Sequence, residues 1–218
     1  MAVADLSLSE MRPLLAAQVA KEAAFDGWTM AALDNAAAAL GLVPATARLA
    51  FPGGAIDMID AWVLSIDEAM AATLPVEMLA SLPVRERIRR LVQFRLDHVA
   101  HQRETLRRAL AILAMPRHLA RAVQMGWRSA DAMWRLAGDR ATDYNHYTKR
   151  ATLAAVYAAT LSVFVGDSSD GASETAAFLD RRIAGIMRFE KAKARLTANP
   201  ELHFSPARFL GRLRYPSR

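Results

Sequence analysis

The chain has 218 residues, of which 53% are apolar, so it can form one large domain or a small module beside a larger one. It contains no Cys, which excludes disulfides and thiolate chemistry, and its longest charge-free apolar run, 151–166, is shorter than the roughly 20 residues of a membrane-spanning helix. The net charge of +6 is uneven, because residues 1–82 carry three bases and ten acids (−7) and residues 83–218 carry 25 bases and 12 acids (+13).

Four helices are predicted in the first third of the chain. The string SLSE at 7–10 has the pattern of a capping box and indicates a helix start. Gly41 is typical of a helix end, and Pro44 is typical of the first position of a helix. We expect helices at about residues 8–25, 30–40, 44–51 and 55–73.

Longer apolar-striped helices are predicted beyond residue 84. Apolar residues recur at spacings of three and four, and alternating strand patterns are missing, so the predicted fold class is all-α. The expected helices are at about 84–114 (kinked near His101), 117–137, 144–165 and 173–195. The predicted parts of the chain are a helix-turn-helix-like module at 1–60, a larger helical region at 61–195 and a basic tail at 196–218.

Residues 25–59 resemble the N-terminal region of TetR-type repressors. The shared pattern is an aromatic–x–Gly–aromatic entry, a helix, a Gly–apolar turn, a short helix and then Phe–Pro–Gly. The resemblance implies that 44–51 stands where such repressors read the major groove. Phosphate contacts require basic and small polar side chains, but this segment offers one Arg and one Thr in an acidic region.

Two positions also depart from the repressor pattern, because Arg48 replaces the usual Tyr and Gly54 replaces the usual Lys. We therefore expect a retained scaffold and no nucleic-acid partner. A TetR-type ligand-responsive repressor is the alternative.

Large apolar side chains are mixed with many Ala residues between 84 and 195. Helices of this kind form either a closed core or a ligand pocket, and the pattern leaves both open. The residues predicted to line a lipid-sized pocket are Phe94, Leu110, Leu113, Met115, Trp127, Trp134, Leu153, Tyr157 and Leu161.

Candidate catalytic and metal-binding groups are few. His98 and His101 share a helix face with acidic neighbours, but a metal site usually needs more ligands and a partner helix, so we expect no metal. Asp143 and His146 are spaced as an acid–base pair, yet no nucleophile accompanies them, and Asp143 is well placed to cap the following helix. We expect a protein that is not an enzyme, with a lipid-dependent enzyme using these two residues as the alternative.

Residues 108–190 resemble the Coq-nine family of ubiquinone (coenzyme Q) biosynthesis accessory proteins, which are TetR-like in fold. The resemblance rests on RALAILAMP (108–116), MWRLAGDRATDYNHYTKRATLAAVYAAT (133–160), DSSD (167–170) and FLDRRI (178–183). It implies a non-catalytic homodimer that binds polyprenyl-quinone intermediates or other lipids, with lipid binding and dimerisation in 61–195. It also implies that the protein associates with membranes and hands substrate to the di-iron hydroxylase of the ubiquinone pathway.

The family's hydroxylase-docking patch corresponds to residues around the string GDRATDYNHYTKR (138–150). The resemblance implies contact residues at Met133, Asp143, His146, Tyr147 and Arg150. The family usually has Trp where this chain has His146. A His buries less apolar surface than a Trp and can carry a charge, so we expect a weaker or pH-sensitive contact, or a co-varied partner.

The tail carries aromatic and aliphatic residues among arginines, which is typical of an interfacial membrane segment. The predicted membrane residues are Phe204, Phe209, Leu210, Arg212 and Leu213. A disordered basic tail is the alternative. The acidic start has neither a secretory signal pattern nor a mitochondrial presequence pattern. We expect a cytoplasmic protein peripheral at a bacterial inner membrane, or on the matrix side if eukaryotic and trimmed.

Overall fold

The computed structural model describes residues 6–140 and 144–198, apart from the side chains of residue 144, of residue 187 and of 189–198. The chain divides into two units, 1–179 and 180–218, and the predicted division at 60 and 195 stays a prediction. The described backbone is helical and contains no strand, which confirms the all-α fold class. The helices are α1 (Leu8–Asp26), α2 (Met30–Ala39), α3 (Pro44–Ala50), α4 (Ala55–Thr73), α5 (Val76–Leu79), α6 (Val84–His98), α7 (Arg103–Leu113), α8 (Leu119–Leu136), α9 (Tyr144–Phe164) and α10 (Ser173–Ala198).

Local sequence signals account for the ends of the first helices. The Ser7 hydroxyl accepts from the Glu10 amide at 3.4 Å, and the Glu10 carboxylate accepts from the Ser7 amide at 2.9 Å, which is the predicted capping box. The Thr29 hydroxyl caps α2 by accepting from the Ala32 amide at 3.2 Å. Gly41, with φ +69°, then allows the chain to turn into α3, whose axis is bent by 119° from that of α2.

The N-terminal helices pack onto the rest of the first unit through a polar and aromatic contact. Trp28 donates from Nε1 to the Thr105 carbonyl at 3.2 Å, and the Thr105 hydroxyl donates to the Ala20 carbonyl at 2.7 Å. The rings of Trp28 and Trp62 lie 5.3 Å apart. Because all three side chains are buried, they fix α1 and α4 against α7.

The long predicted helix at 84–114 is broken where the kink was expected. A 3₁₀ turn at Ala100–Gln102 separates α6 from α7, and a second one at Pro116–His118 leads into α8. Short 3₁₀ turns such as these two are typical connectors between α-helices. They allow the chain to fold back, so that α8 packs against both α4 and α9.

The DSSD string forms the connection between α9 and α10. The Asp167 carboxylate accepts from the amides of Ser169 at 2.9 Å and Thr175 at 2.8 Å, and from both of their hydroxyls at 2.5 Å. These hydrogen bonds hold the pKa of Asp167 well below its ordinary value. Arg103 of α7 donates to the Asp167 carbonyl, and its guanidinium lies 4.4 Å from the centre of the Phe164 ring. The role of the DSSD string in this structure is to fix the connection between α9 and α10.

Among the described residues, no single helix is both long and apolar enough to cross a membrane. Taken together, α2 and α3 are long and apolar enough to do so by length and composition, but they are bent by 119°.

Candidate functional site

The C-terminal end of α8 and the N-terminal end of α9 meet at the string that resembled the docking patch. Gly138, with φ +86°, ends α8: its amide donates to the Arg135 carbonyl, and the Asp139 amide donates to the Trp134 carbonyl, both at 2.9 Å. This pair of bonds is a Schellman motif, which needs a left-handed residue. Arg87 of α6 also donates to the Ala137 carbonyl at 2.8 Å, which fixes the turn to the body of the unit.

Arg150 is the centre of the junction, and only 2% of the residue is exposed. Its guanidinium donates to Asp131 of α8 at 2.5 Å and to Asp139 of the turn at 3.1 Å. It also donates to the His146 carbonyl at 3.1 Å, one turn earlier in α9. A rigid guanidinium fork can bind several acceptors at once, so this one side chain joins α8, the turn and the start of α9.

Lys149 and Trp134 strengthen the same junction. The Lys149 ammonium lies 2.7 Å from the Asp139 carboxylate and 5.3 Å from the Trp134 ring centre, and Trp134 donates from Nε1 to the Lys149 carbonyl at 3.0 Å. Burial raises the pKa of Asp139, but hydrogen bonds from Lys149 and Arg150 outweigh that effect, and the pKa lies below its ordinary value. Asp139 is therefore a carboxylate held between two bases. We call Asp131, Trp134, Asp139, Lys149 and Arg150 the junction brace.

An aromatic surface lies on the outside of the junction brace. Tyr147 is 61% exposed, and its ring lies 6.1 Å from that of Trp127 and 5.1 Å from that of His146. The His146 ring is edge-on to Tyr147, a favourable aromatic geometry. Trp127 and His146 are half-buried. We call His146, Tyr147 and Trp127 the aromatic surface.

The five predicted docking residues separate into two groups in the structure. Tyr147 is exposed and His146 is half-buried, whereas Met133 is fully buried and Arg150 is almost so. Met133 and Arg150 therefore offer no side-chain surface to a partner, and Arg150 acts through the junction brace. That either residue touches a partner stays a prediction. Asp143 lies outside the described residues.

The nine residues predicted for a lipid pocket are spread over several environments. Leu153, Tyr157 and Leu161 of α9 are buried, and Met115 is exposed. The other five are half-buried: Phe94, Leu110, Leu113, Trp127 and Trp134. Two cavities of about 250 and 260 Å³ are lined wholly by described residues, and none of the nine lines either one. The pocket prediction stays a prediction.

The structure also contains a buried ionic cluster that the sequence pattern did not reveal. Arg95 of α6 is 2% exposed, donates to Asp67 of α4, and lies 4.9 Å from the Tyr157 ring centre. Asp67 also accepts from the Ser129 hydroxyl at 3.1 Å, and Arg128 lies 3.9 Å away. Burial raises the pKa of Asp67, and these donors oppose that effect.

Two guanidinium nitrogens in this cluster, Nε of Arg95 and Nε of Arg128, are buried and have no hydrogen-bond acceptor within the described part of the chain. A buried N–H without an acceptor is costly. A ligand oxygen that entered the core beside Tyr157 would satisfy the Arg95 Nε–H. The sequence pattern does not identify this group, because Arg95 occupies a buried position between the apolar residues Leu91 and Leu96.

Metal binding was not expected from His98 and His101. Within residues 6–140 and 144–198, no three His, Asp or Glu side chains are grouped closely enough to hold a metal ion. The His98 ring lies 5.7 Å from the Phe94 ring. The predicted membrane residues Phe204, Phe209, Leu210, Arg212 and Leu213 all lie outside the described residues.

The helix order and the helix-turn-helix at α2–α3 define the class of the fold, which is TetR-like. A solved TetR transcriptional regulator from Nitrosomonas europaea aligns with a TM-score of 0.64 over 80% of this chain and 97% of that chain, at 24% identity. At that identity the likeness shows the fold alone.

The proteins that resemble this chain in sequence carry a different name from that of the structural neighbour. Residues 119–190 match the COQ9 family model, and this range contains both the junction brace and the aromatic surface. The rat "Ubiquinone biosynthesis protein COQ9, mitochondrial" is 34% identical over 168 residues, which cover 74% of this chain and 54% of the rat protein. The human protein of the same name is 33% identical over the same length, covering 74% and 52%. The chain is therefore similar to the COQ9 proteins over 74% of its length, and it spans about half the length of these curated relatives.

Proposed function

We propose that this chain is a non-catalytic accessory protein of ubiquinone biosynthesis, which binds a lipid or isoprenoid quinone and presents it at a membrane to a di-iron hydroxylase. The printed names of the curated relatives support a role in ubiquinone biosynthesis. The observation that carries the docking part of the proposal is the geometry of the junction brace. It fixes the start of α9, so that Tyr147 and His146 face outward beside Trp127.

This geometry favours protein binding for a physical reason. Aromatic side chains are frequent hot spots in interfaces, and they bind best when little conformational freedom is lost on association. Here the brace fixes the backbone around Tyr147 in advance, because Arg150 binds the His146 carbonyl and two carboxylates. The ring of Tyr147 is partly held by its neighbours but is 61% exposed, so a partner can cover it.

The lipid part of the proposal is supported by the composition of the core. Leu153, Tyr157 and Leu161 give α9 a buried apolar face, and Arg95 places an N–H without an acceptor among the described residues next to Tyr157. A quinone has the matching chemistry, since it combines an apolar chain with carbonyl oxygens that accept hydrogen bonds. A bound lipid or quinone is thus the expected ligand, and a homodimer associated peripherally with a membrane is the expected assembly.

The alternative, a TetR-type repressor, is less well supported by the surface of α3. Arg48 is the basic side chain of that helix, and its Nε and Nη2 donate to the Asp34 carboxylate at 3.0 and 2.5 Å. Its neighbours Val43 and Leu49 are exposed apolar residues. A surface that reads DNA needs free positive charge and polar side chains. A tight, sequence-dependent shift of DNA in an electrophoretic assay at low salt would overturn our assignment.

The docking proposal is tested by replacing Tyr147 with Ala and measuring affinity for the di-iron hydroxylase from the same organism. Binding should weaken by about 2 kcal/mol or more, roughly 30-fold, as for an aromatic hot spot. The free energy of unfolding should fall by less than about 1 kcal/mol, because most of the side chain is exposed.

The matched control is Phe25→Ala, since Phe25 is an aromatic residue that is 84% exposed on the N-terminal helices. It should bind the hydroxylase as the unmodified chain does. Equal loss of affinity in both variants, or none in Tyr147→Ala, contradicts docking through the aromatic surface. Mass spectrometry of lipid extracted from the purified chain tests the ligand, and a protein free of lipids and quinones argues against that part.

A further inference from the structure

The corner where α7 passes into α8 exposes a line of large aliphatic side chains. Met115, Leu119 and Val123 are 39%, 57% and 62% exposed. Leu119 and Val123 lie one turn apart on the same side of α8, and Met115 immediately precedes the 3₁₀ turn that leads into that helix. The opposite side of α8 is buried through Met125 and Met133. The exposed line is therefore a second apolar face, which no described part of the chain covers.

The stretch of sequence that forms this corner carries charge of one sign. Residues 105–130 contain no Asp or Glu and five arginines, which are Arg107, Arg108, Arg117, Arg121 and Arg128. Four of them have acidic partners, since Arg107 and Arg108 share Glu104 and the other two bind acids of α4.

Arg117 differs from these four arginines. It contacts the ring of His118 and the Met115 sulfur, and no carboxylate pairs with it among the described residues. It is exposed, and so is part of Arg121, whose side chain is 46% accessible although it is paired. The outward surface of the corner is therefore apolar and positive.

We propose that this α7–α8 corner is a contact surface for an anionic lipid bilayer. Met115, Leu119 and Val123 would enter the boundary between head groups and acyl chains, and Arg117 would face the phosphates. Interfacial protein segments combine these two features, aliphatic side chains and unopposed bases. The inference rests on the proposed function and adds a membrane surface separate from the tail at 196–218.

The chain provides its own control for the apolar part of this contact. Val43 and Leu49 beside α3 are 65% and 68% exposed, close to the values for Val123 and Leu119. They lie in the acidic part of the sequence, and the one Arg of α3 is paired with Asp34. If exposed aliphatic area alone decided membrane binding, the two pairs would contribute equally.

The test measures co-sedimentation of the full chain with vesicles of phosphatidylcholine alone and of phosphatidylcholine mixed with phosphatidylglycerol. Leu119→Ser/Val123→Ser should lower partition into the anionic vesicles about tenfold, because two aliphatic side chains no longer leave water. Val43→Ser/Leu49→Ser should leave partition unchanged. Arg117→Glu should lower it about tenfold at low salt and have little effect at about 1 M salt, where the screening length is about 3 Å.

Circular dichroism checks that each variant is folded, and hydroxylase affinity and lipid content are measured on the same samples. Unchanged vesicle binding by Leu119→Ser/Val123→Ser overturns the corner, even if the chain still carries lipid and binds the hydroxylase as proposed. An equal loss in Val43→Ser/Leu49→Ser overturns it as well. Loss of hydroxylase affinity with vesicle binding intact would instead assign the corner to a protein partner.

Discussion

Replacing Arg150 with Met removes the centre of the junction brace while keeping a long unbranched side chain. Removing one member of a buried ion pair typically costs about 3–5 kcal/mol, because the other charge is left without a partner. Here both carboxylates keep a second base: Asp131 still pairs with Arg135 at 2.8 Å, and Asp139 still pairs with Lys149 at 2.7 Å. We therefore expect a smaller loss, about 2–3 kcal/mol of unfolding free energy.

The control for Arg150→Met is Arg135→Ala, because Arg135 binds the same carboxylate, Asp131, from the solvent side. Its side chain is 73% exposed, against 2% for Arg150. Exposed pairs contribute about 0–1 kcal/mol, so Arg135→Ala should cost under about 0.5 kcal/mol. Urea unfolding followed by circular dichroism measures both values. A cost for Arg150→Met no larger than that for Arg135→Ala would refute the brace.

A change at the junction brace should also reach the aromatic surface. Arg150 holds the His146 carbonyl, so without it the first turn of α9 loses a fixed contact to α8. Hydroxylase affinity should fall in Arg150→Met although the side chain of Arg150 is not exposed, and Arg150→Lys should recover only part of it, since an ammonium cannot reproduce the fork. Affinity equal to that of the unmodified chain would separate the brace from docking.

Three further changes test the aromatic surface, the junction brace and the buried ionic cluster, in that order. His146→Trp should strengthen binding to a hydroxylase from a relative with Trp at this position, measured by calorimetry, and no gain would place residue 146 outside the interface. Asp139 has a folded pKa below its ordinary value, so its stabilising effect should be complete above about pH 4–5 and should decline as the pH falls further. The free energy of unfolding lost in Asp139→Asn, measured with urea across this pH range, should therefore shrink in acid. A loss that stays constant with pH would contradict the pairing. Asp67→Asn should cost about 3–5 kcal/mol because Arg95 stays buried beside a neutral amide, whereas the neighbouring exposed Glu68→Gln should cost under about 0.5 kcal/mol, and similar losses in the two unfolding curves would deny the buried cluster its role.

The helix ends were predictable because their signals are local. The Ser7–Glu10 capping box, Gly41 and Gly138 each act within a few residues, and the structure uses all of them as predicted. The kink near His101 was also correctly placed. Such features depend on backbone conformation and hydrogen bonds between near neighbours, which a sequence pattern contains directly.

The site could be located from the sequence but its construction could not. Arg150 finds Asp131 across 19 positions of chain, and Arg95 finds Asp67 across 28. No periodicity encodes such pairs. The phase of α8 was ambiguous as well, because apolar residues stand on both of its sides: Met133 is buried, whereas Val123 is exposed. Only packing against the neighbouring helices decides which side faces the core.

Part of the uneven charge along the chain is explained by ion pairs inside the fold. Arg121 lies 3.2 Å from Asp57 and 3.1 Å from Asp60, and Arg128 lies 2.6 Å from Asp60. Acids of α4, in the −7 region, thus bind bases of α8, in the +13 region. Part of the asymmetry is therefore neutralised inside the fold.

The charges outside this α4–α8 contact distinguish two exposed surfaces of the protein, α3 and the α7–α8 corner. On α3 the one Arg is occupied by Asp34, which leaves the helix in the DNA-reading position without free positive charge. At the α7–α8 corner, Arg117 has no acidic partner within the described ranges and stands beside exposed aliphatic side chains. A polyanionic duplex has no complement at the first surface, whereas anionic head groups above an apolar layer have one at the second. The charges that remain after the internal pairs are counted therefore favour the proposed contact with a lipid surface over the reading of DNA.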